Sequence, residues 1–192
     1  IAGADETVSS LYSVKSEQAT MLSFDTYNYL VHYFGQPQGS MADDPNGTLG
    51  GDYEFVISDA TADRIELKGK KYGNRIVMKA FSADQTWKQY LTRIKKVEDD
   101  AFFYEYDLRM DGLYTGQMLR SNYTFIVTYY DEVGKVHQKT VSFMFTTDGM
   151  RFHEPVTIDG QTMQNFVWKN EEISFVCTDE GATEVKLAGG YT

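Results

Sequence analysis

Apolar residues along this chain recur mostly at alternate positions, in short runs broken by glycine, asparagine and aspartate. That pattern predicts antiparallel strands. Residues 1–10 are small and polar and read as a frayed end. Leu11-Tyr12-Ser13-Val14 and Met21-Leu22-Ser23-Phe24 read as short strands, and Tyr27 to Phe34 as a third, rich in aromatics. Gly35 to Gly51 reads as loop, with turn chemistry at Gln36-Pro37-Gln38-Gly39 and at Asp43-Asp44-Pro45-Asn46-Gly47. A loop this long in a folded domain is expected to be either functional or mobile. Tyr53 to Ile57 resumes the sheet. Ile65-Glu66-Leu67 and Arg75-Ile76-Val77-Met78 then flank the glycine-bearing hairpin Lys68-Gly69-Lys70-Lys71-Tyr72-Gly73-Asn74.

The period then changes from two to that of a helix. Ser82 with Gln85 three residues on predicts a capping box. Trp87, Leu91 and Ile94 follow at one helical face, with Lys88, Arg93, Lys95 and Lys96 on the rest. The helix is predicted over about 82–98, with its apolar stripe laid on a sheet.

Beyond it the alternation returns. Phe103, Tyr104, Tyr106 and Leu108 mark one strand. Tyr123 to Tyr130 and Lys139 to Thr147 are long strands joined through Asp131-Glu132-Val133-Gly134-Lys135. Asp148-Gly149 and Asp159-Gly160 are turn signals, and Gln164 to Lys169, Ile173 to Thr178 and Glu184 to Leu187 complete the set. The fold class expected is α+β, mainly β: antiparallel sheets in a sandwich or open barrel, with one amphipathic helix near 82–98. The segments Thr20 to Asn28 and Thr140 to Gly149 echo each other as strand, threonine and turn, which raises two related β units as an arrangement. A single domain over 1–192 is expected, with two β subdomains divided near 100 as the alternative.

Composition sharpens this picture at two points. Fourteen Tyr, twelve Phe and two Trp favour pleated surfaces, and only three Pro leave strands unbroken. The charge is unevenly spread. Between Arg64 and Lys96 ten bases stand against two acids, while the remaining residues carry eight bases and 26 acids. A chain with net charge −10 is not expected to bind nucleic acid, but a basic face on an acidic body suits an anionic partner. No apolar run reaches the ~20 residues of a membrane span. The chain begins at Ile1 and is expected to be a trimmed piece that lacks N-terminal sequence of the native protein.

The chemistry-bearing residues form no catalytic signature. Cys177, the only cysteine, lies in the apolar run Ile173 to Cys177 and reads as a strand residue. His153-Glu154 lacks a third metal ligand, His32 lies in the expected third strand, and His137 follows a turn. Aligning Gly47 with the invariant glycine of a calcium loop puts Ala42 and Tyr53 at ligand positions neither can fill. Lys68 to Gly73 lacks the spacing of a phosphate loop. Asp25, Asp52, Glu54, Asp107 and Asp111 lie near strand ends and leave a paired-carboxylate glycan hydrolase as a minor alternative. Tyr27, Tyr29, Tyr33, Tyr53 and Tyr72 offer flat faces for sugars. Ligand binding is therefore expected at Tyr33, Tyr53, Tyr72, Lys70, Lys71 and Arg75, with no catalytic residue, metal or cofactor.

Four segments carry a family resemblance: Leu22-Ser23-Phe24-Asp25-Thr26-Tyr27-Asn28, His32-Tyr33-Phe34, Gly50-Gly51-Asp52-Tyr53-Glu54-Phe55, and Leu67 to Lys71 with Gly73-Asn74-Arg75. Over residues 7–80 above all, the chain resembles a Bacteroidetes family of cell-envelope lipoproteins of the DUF4302 type, a domain of unknown function. The resemblance implies a lipid-anchored precursor at the cell envelope or outer-membrane surface, near glycan or nutrient importers. It supplies no catalytic residues. The expected function is a non-catalytic binding module for a glycan or nutrient. The alternative is a structural or protein-interaction component of an envelope complex. Expected partners are an oligosaccharide or another envelope protein, with membrane contact only through a lipid anchor outside this chain.

Overall fold

The computed structural model describes residues 6–16, 18–37, 49–131 and 133–190. The chain divides into two compact units, Ile1–Thr86 and Trp87–Thr192. Residues 1–5 of the expected frayed end, and the Asp43 to Gly47 turn of the long loop, lie outside the described residues.

The first unit is an antiparallel meander of β1 (Tyr12–Ser16), β2 (Thr20–Phe24), β3 (Glu54–Ala60), β4 (Arg64–Gly69) and β5 (Arg75–Lys79), paired in sequence order. Leu22 opposes Phe55, and Ile57 opposes Leu67, which opposes Ile76, so these residues share one face. Phe55 and Leu67 are buried on it. The other face carries Lys68 opposite Arg75 and Arg64 opposite Lys79. A one-residue slip would exchange the two faces, so the alternation fixes the register.

Between β2 and β3 the expected third strand is absent. Tyr29–His32 forms a short helix, α1, followed by a 3-10 turn over Tyr33–Gly35. The reason is local. The Asn28 side chain accepts from the Leu30 N–H at 3.0 Å, and the Asn28 backbone N–H donates to His32 Nδ1 at 3.1 Å. A capped first turn outweighs the β preference of aromatic residues.

The second unit begins with α2 (Trp87–Asp100). The sequence pattern starts this helix five residues early. The Gln85 N–H bonds to the Ser82 carbonyl at 3.0 Å, so Ser82 to Gln85 closes a turn instead of a capping box. Val97 is buried and Ile94 packs on the core, whereas Trp87 is 66% exposed and lies off the buried stripe. Lys95–Asp99 and Lys96–Asp100 pair one turn apart, each at 2.5 Å.

Eight strands follow: β6 (Glu105–Met110), β7 (Leu113–Ser121), β8 (Thr124–Tyr130), β9 (Val136–Phe145), β10 (Gly149–Ile158), β11 (Gln161–Lys169), β12 (Ser174–Cys177) and β13 (Lys186–Gly189). Each pairs antiparallel with the next, and β13 returns to β6 with Leu187 opposite Leu108. The barrel is therefore closed, not open, which leaves this unit no sheet edge among the described residues. Its lumen holds rings: Phe125 stacks on Phe143 at 4.4 Å, and Tyr106 touches Phe125 and Phe175 at 5.7 and 5.8 Å. An eight-stranded barrel has room for side chains or one small ligand, and here side chains fill it. Each fully buried ring adds roughly 2–3 kcal/mol.

Strand β7 has no clear alternation in the sequence because Leu113 and Tyr114 are exposed and Gly116 sits mid-strand. A β-carbon at Gly116 would strike the Thr128 carbonyl across the pair. The echoing segments also take different roles. Thr20–Phe24 is β2 and leads into α1, whereas Thr140 lies in β9 and leads into β10.

Candidate functional site

The first unit gathers chemistry around the joint between its loop and its last hairpin. Asp52, just before β3, is 7% exposed. Its carboxylate accepts from the Lys71 N–H at 2.8 Å and the Tyr72 N–H at 3.0 Å. It also accepts from the Asn74 N–H at 3.3 Å and Asn74 Nδ2 at 2.8 Å. Burial raises the carboxyl's pKa, but these four donors outweigh it and hold the group below the usual aspartate range. Asp52 thus fixes the β4–β5 turn in one conformation. Gly73 completes that turn at φ 76°, a region open to glycine.

Gly51 lets the loop run against Phe34: a β-carbon there would overlap the Phe34 side chain, and the Gly51 N–H bonds to the Phe34 carbonyl at 2.9 Å. Tyr53 follows and stacks on His32, with ring centroids 4.8 Å apart and planes at 18°. Tyr27 closes on the same imidazole at 5.4 Å.

Two cavities result. One, about 250 Å³, is lined by Gly35, Gly51, Asp52, Tyr53, Glu54, Lys70 and Lys71. Lys70 Nζ lies 3.4 Å from Glu54, and Lys71 Nζ lies 4.7 Å from the Tyr72 ring centre. The second, about 390 Å³, has mostly apolar walls, Leu30, Val31, Phe34, Leu49, Phe55 and Ile76, with Asp52 and Asn74 also on its lining.

Of the six residues expected to bind ligand, Tyr53, Lys70 and Lys71 come together on the smaller cavity. Tyr72 is not on its lining, and the Tyr72 N–H is committed to Asp52. Tyr33 lies in the 3-10 turn, edge-on to Phe34, and lines neither cavity. Arg75 lies on β5, bonded to Glu66 at 2.8 Å, and also lines neither. Sequence reasoning misses His32 as a support for Tyr53, and Asp52 as the organiser of the hairpin. The one available signal is an aspartate after two glycines, ahead of a strand.

The acids considered for hydrolysis have other work. Asp52 accepts four hydrogen bonds, which hold its carboxyl below the usual aspartate range. Asp107 pairs with Arg109 at 3.0 Å, Asp25 with Lys15 at 3.4 Å, and Asp111 accepts from Gln161 at 3.1 Å. His153 and Glu154 are exposed in the irregular stretch of β10 between Arg151 and Val156. His137 bonds to Asp131 at 2.8 Å. No group of three metal-ligating side chains occurs among the described residues. Cys177 is buried on β12, and burial, reinforced by the charge of Asp179, pushes its thiol up to about 11.

No curated protein and no solved structure shows significant similarity to this chain. A family profile matches residues 1–170, and the chain belongs to that family, described as a domain of unknown function (DUF4302).

Proposed function

We propose that this chain is a non-catalytic binding module whose first unit takes an acidic saccharide at the Tyr53–Lys70–Lys71 cavity. The observation that carries the reading is the Asp52-braced hairpin, which sets Lys70 and Lys71 beside Tyr53 on one small cavity, with Lys70 paired to Glu54 on the same wall. Lysines recognise carboxylate or sulfate groups, and a supported tyrosine offers a flat face to a sugar ring. Bracing in advance lowers the ordering cost of binding. The resemblance to envelope lipoproteins of Bacteroidetes supports a place at the cell surface.

Isothermal titration against acidic and neutral oligosaccharides of matched length tests it. Saturable binding of an acidic oligosaccharide, lost in Tyr53→Ala and in the Lys70→Ala/Lys71→Ala double variant, is the expected result. Binding unchanged in both variants removes the site. A second reading, docking of an acidic protein partner, draws on the surplus of bases between Arg64 and Lys96. It is favoured if no saccharide binds and capture of the partner weakens steeply with salt.

A further inference from the structure

A different cavity, of about 380 Å³, lies on the second unit and shares no residue with the saccharide site. Its position follows from topology. In an up-and-down barrel alternate hairpins turn at the same end, so the β6–β7, β8–β9 and β10–β11 turns share one rim. Two of them are built alike. Asp111-Gly112 and Asp159-Gly160 have positive φ at both positions, 50° and 79°, then 46° and 76°, as tight two-residue hairpins require.

The walls have two independent features. The first is apolar and aromatic surface left in water: Leu113 is 73% exposed, Tyr114 53% and Tyr130 49%, beside the buried Met110. The second is charge. Among the described residues Asp111 accepts only from the Gln161 amide, and Asp159 has no ion-pair partner. Asp131, the third acid, is occupied by the Val133 and Lys135 N–H groups and by His137. The nearby Arg109 is taken by Asp107. The cavity therefore combines tyrosine rings with two unneutralised carboxylates.

We propose that this rim binds an organic cation, an ammonium or guanidinium group on an apolar stem. Both features favour that ligand: the faces of tyrosine rings attract cations, and carboxylates bond to them. An anion is repelled by the same acids. A hard metal ion needs several converging oxygen ligands, and no group of three His, Cys, Asp or Glu side chains placed to hold one occurs among the described residues. A free amine and the arginine side chain of a peptide both present this chemistry.

The test is a titration of the whole chain followed by NMR, with choline, N-acetyl-arginine methylamide and the neutral choline isostere 3,3-dimethylbutan-1-ol. Saturable shifts at Tyr114, Tyr130 and Gln161 are expected with at least one cation, and binding of the isostere roughly tenfold weaker. Which cation binds more tightly tells the free amine from the peptide source. The Asp111→Asn/Asp159→Asn variant is the control for charge, because asparagine accepts the positive φ of both turns. Its spectrum should stay folded while cation binding falls roughly tenfold. Equal binding of the neutral isostere, unchanged affinity in the double variant, or no saturable shift with either cation overturns the proposal. None of these outcomes bears on the saccharide site of the first unit.

Discussion

The carboxylate of Asp52 occupies the space that a β-carbon on Gly69 would need. The two residues lie on different segments, Asp52 before β3 and Gly69 at the end of β4. Their contact lets the carboxylate reach the backbone of the following turn. Gly69 is thus required for close approach, not for its turn conformation.

Replacing either residue should release the hairpin. Asp52→Ala leaves the Lys71, Tyr72 and Asn74 N–H groups without their acceptor, at a cost of about 2–3 kcal/mol. Gly69→Ala should cost a similar amount by expelling the carboxylate. Urea unfolding of the first unit measures both. If the two losses fail to overlap in the double variant, the residues do not act as one device.

The same carboxylate gives the fold a dependence on acid, and Asp179 adds to it. Burial raises the pKa of Asp179, but the Gln164 and Asn165 N–H groups and the Asn165 amide, at 2.6–2.7 Å, lower it by more. For both groups the folded pKa lies below the unfolded one, which is about 3.9. Their stabilisation is therefore fully present above about pH 5 and is lost as pH falls through the unfolded value and then the folded ones. Denaturant midpoints should be level from neutral pH to about 5 and drop below 4. Asp52→Asn should flatten this slope for the first unit and Asp179→Asn for the second. An unchanged slope in both variants would exclude these carboxylates as its source.

Much of the β architecture is legible in the sequence because alternation is local. No distant partner is needed to see that Phe125, Val127 and Tyr129 face one way: Phe125 and Val127 are buried and Tyr129 packs against the core, as that period requires. What is not legible depends on partners far apart in the chain. Closure joins β13 to β6, pairing Leu187 with Leu108, and no local pattern announces it. Strand β7 is hidden because its glycine answers to a carbonyl on β8. Helix α1 escapes the pattern because one asparagine cap decides a run whose composition favours strand. At the candidate site, the lysines and Tyr53 are readable as exposed types near turns. The bracing role of Asp52 is not, since its donors lie 19 to 22 residues away.

Arg120 provides the last prediction. Its side chain is only 7% exposed, 3.6 Å from Glu98 on α2, and Nε bonds to the Asn122 carbonyl at 2.9 Å. The guanidinium carbon lies 4.9, 5.1 and 5.8 Å from the rings of Phe102, Phe145 and Phe143. Nη1 has no hydrogen-bond partner among the described residues. A cation so placed costs desolvation that Glu98 and the rings offset. Removing only the anion should therefore hurt more than removing the charge. Glu98→Ala should destabilise the second unit by about 3 kcal/mol, whereas Arg120→Met, which keeps the apolar contact, should cost about 1 kcal/mol or less. Tyr123, which donates to Glu98 at 3.2 Å, loses an acceptor in the first variant alone and adds to the contrast. Thermal unfolding of both variants decides the matter. Equal losses would mean that Arg120 contributes through packing and not through its pairing with α2.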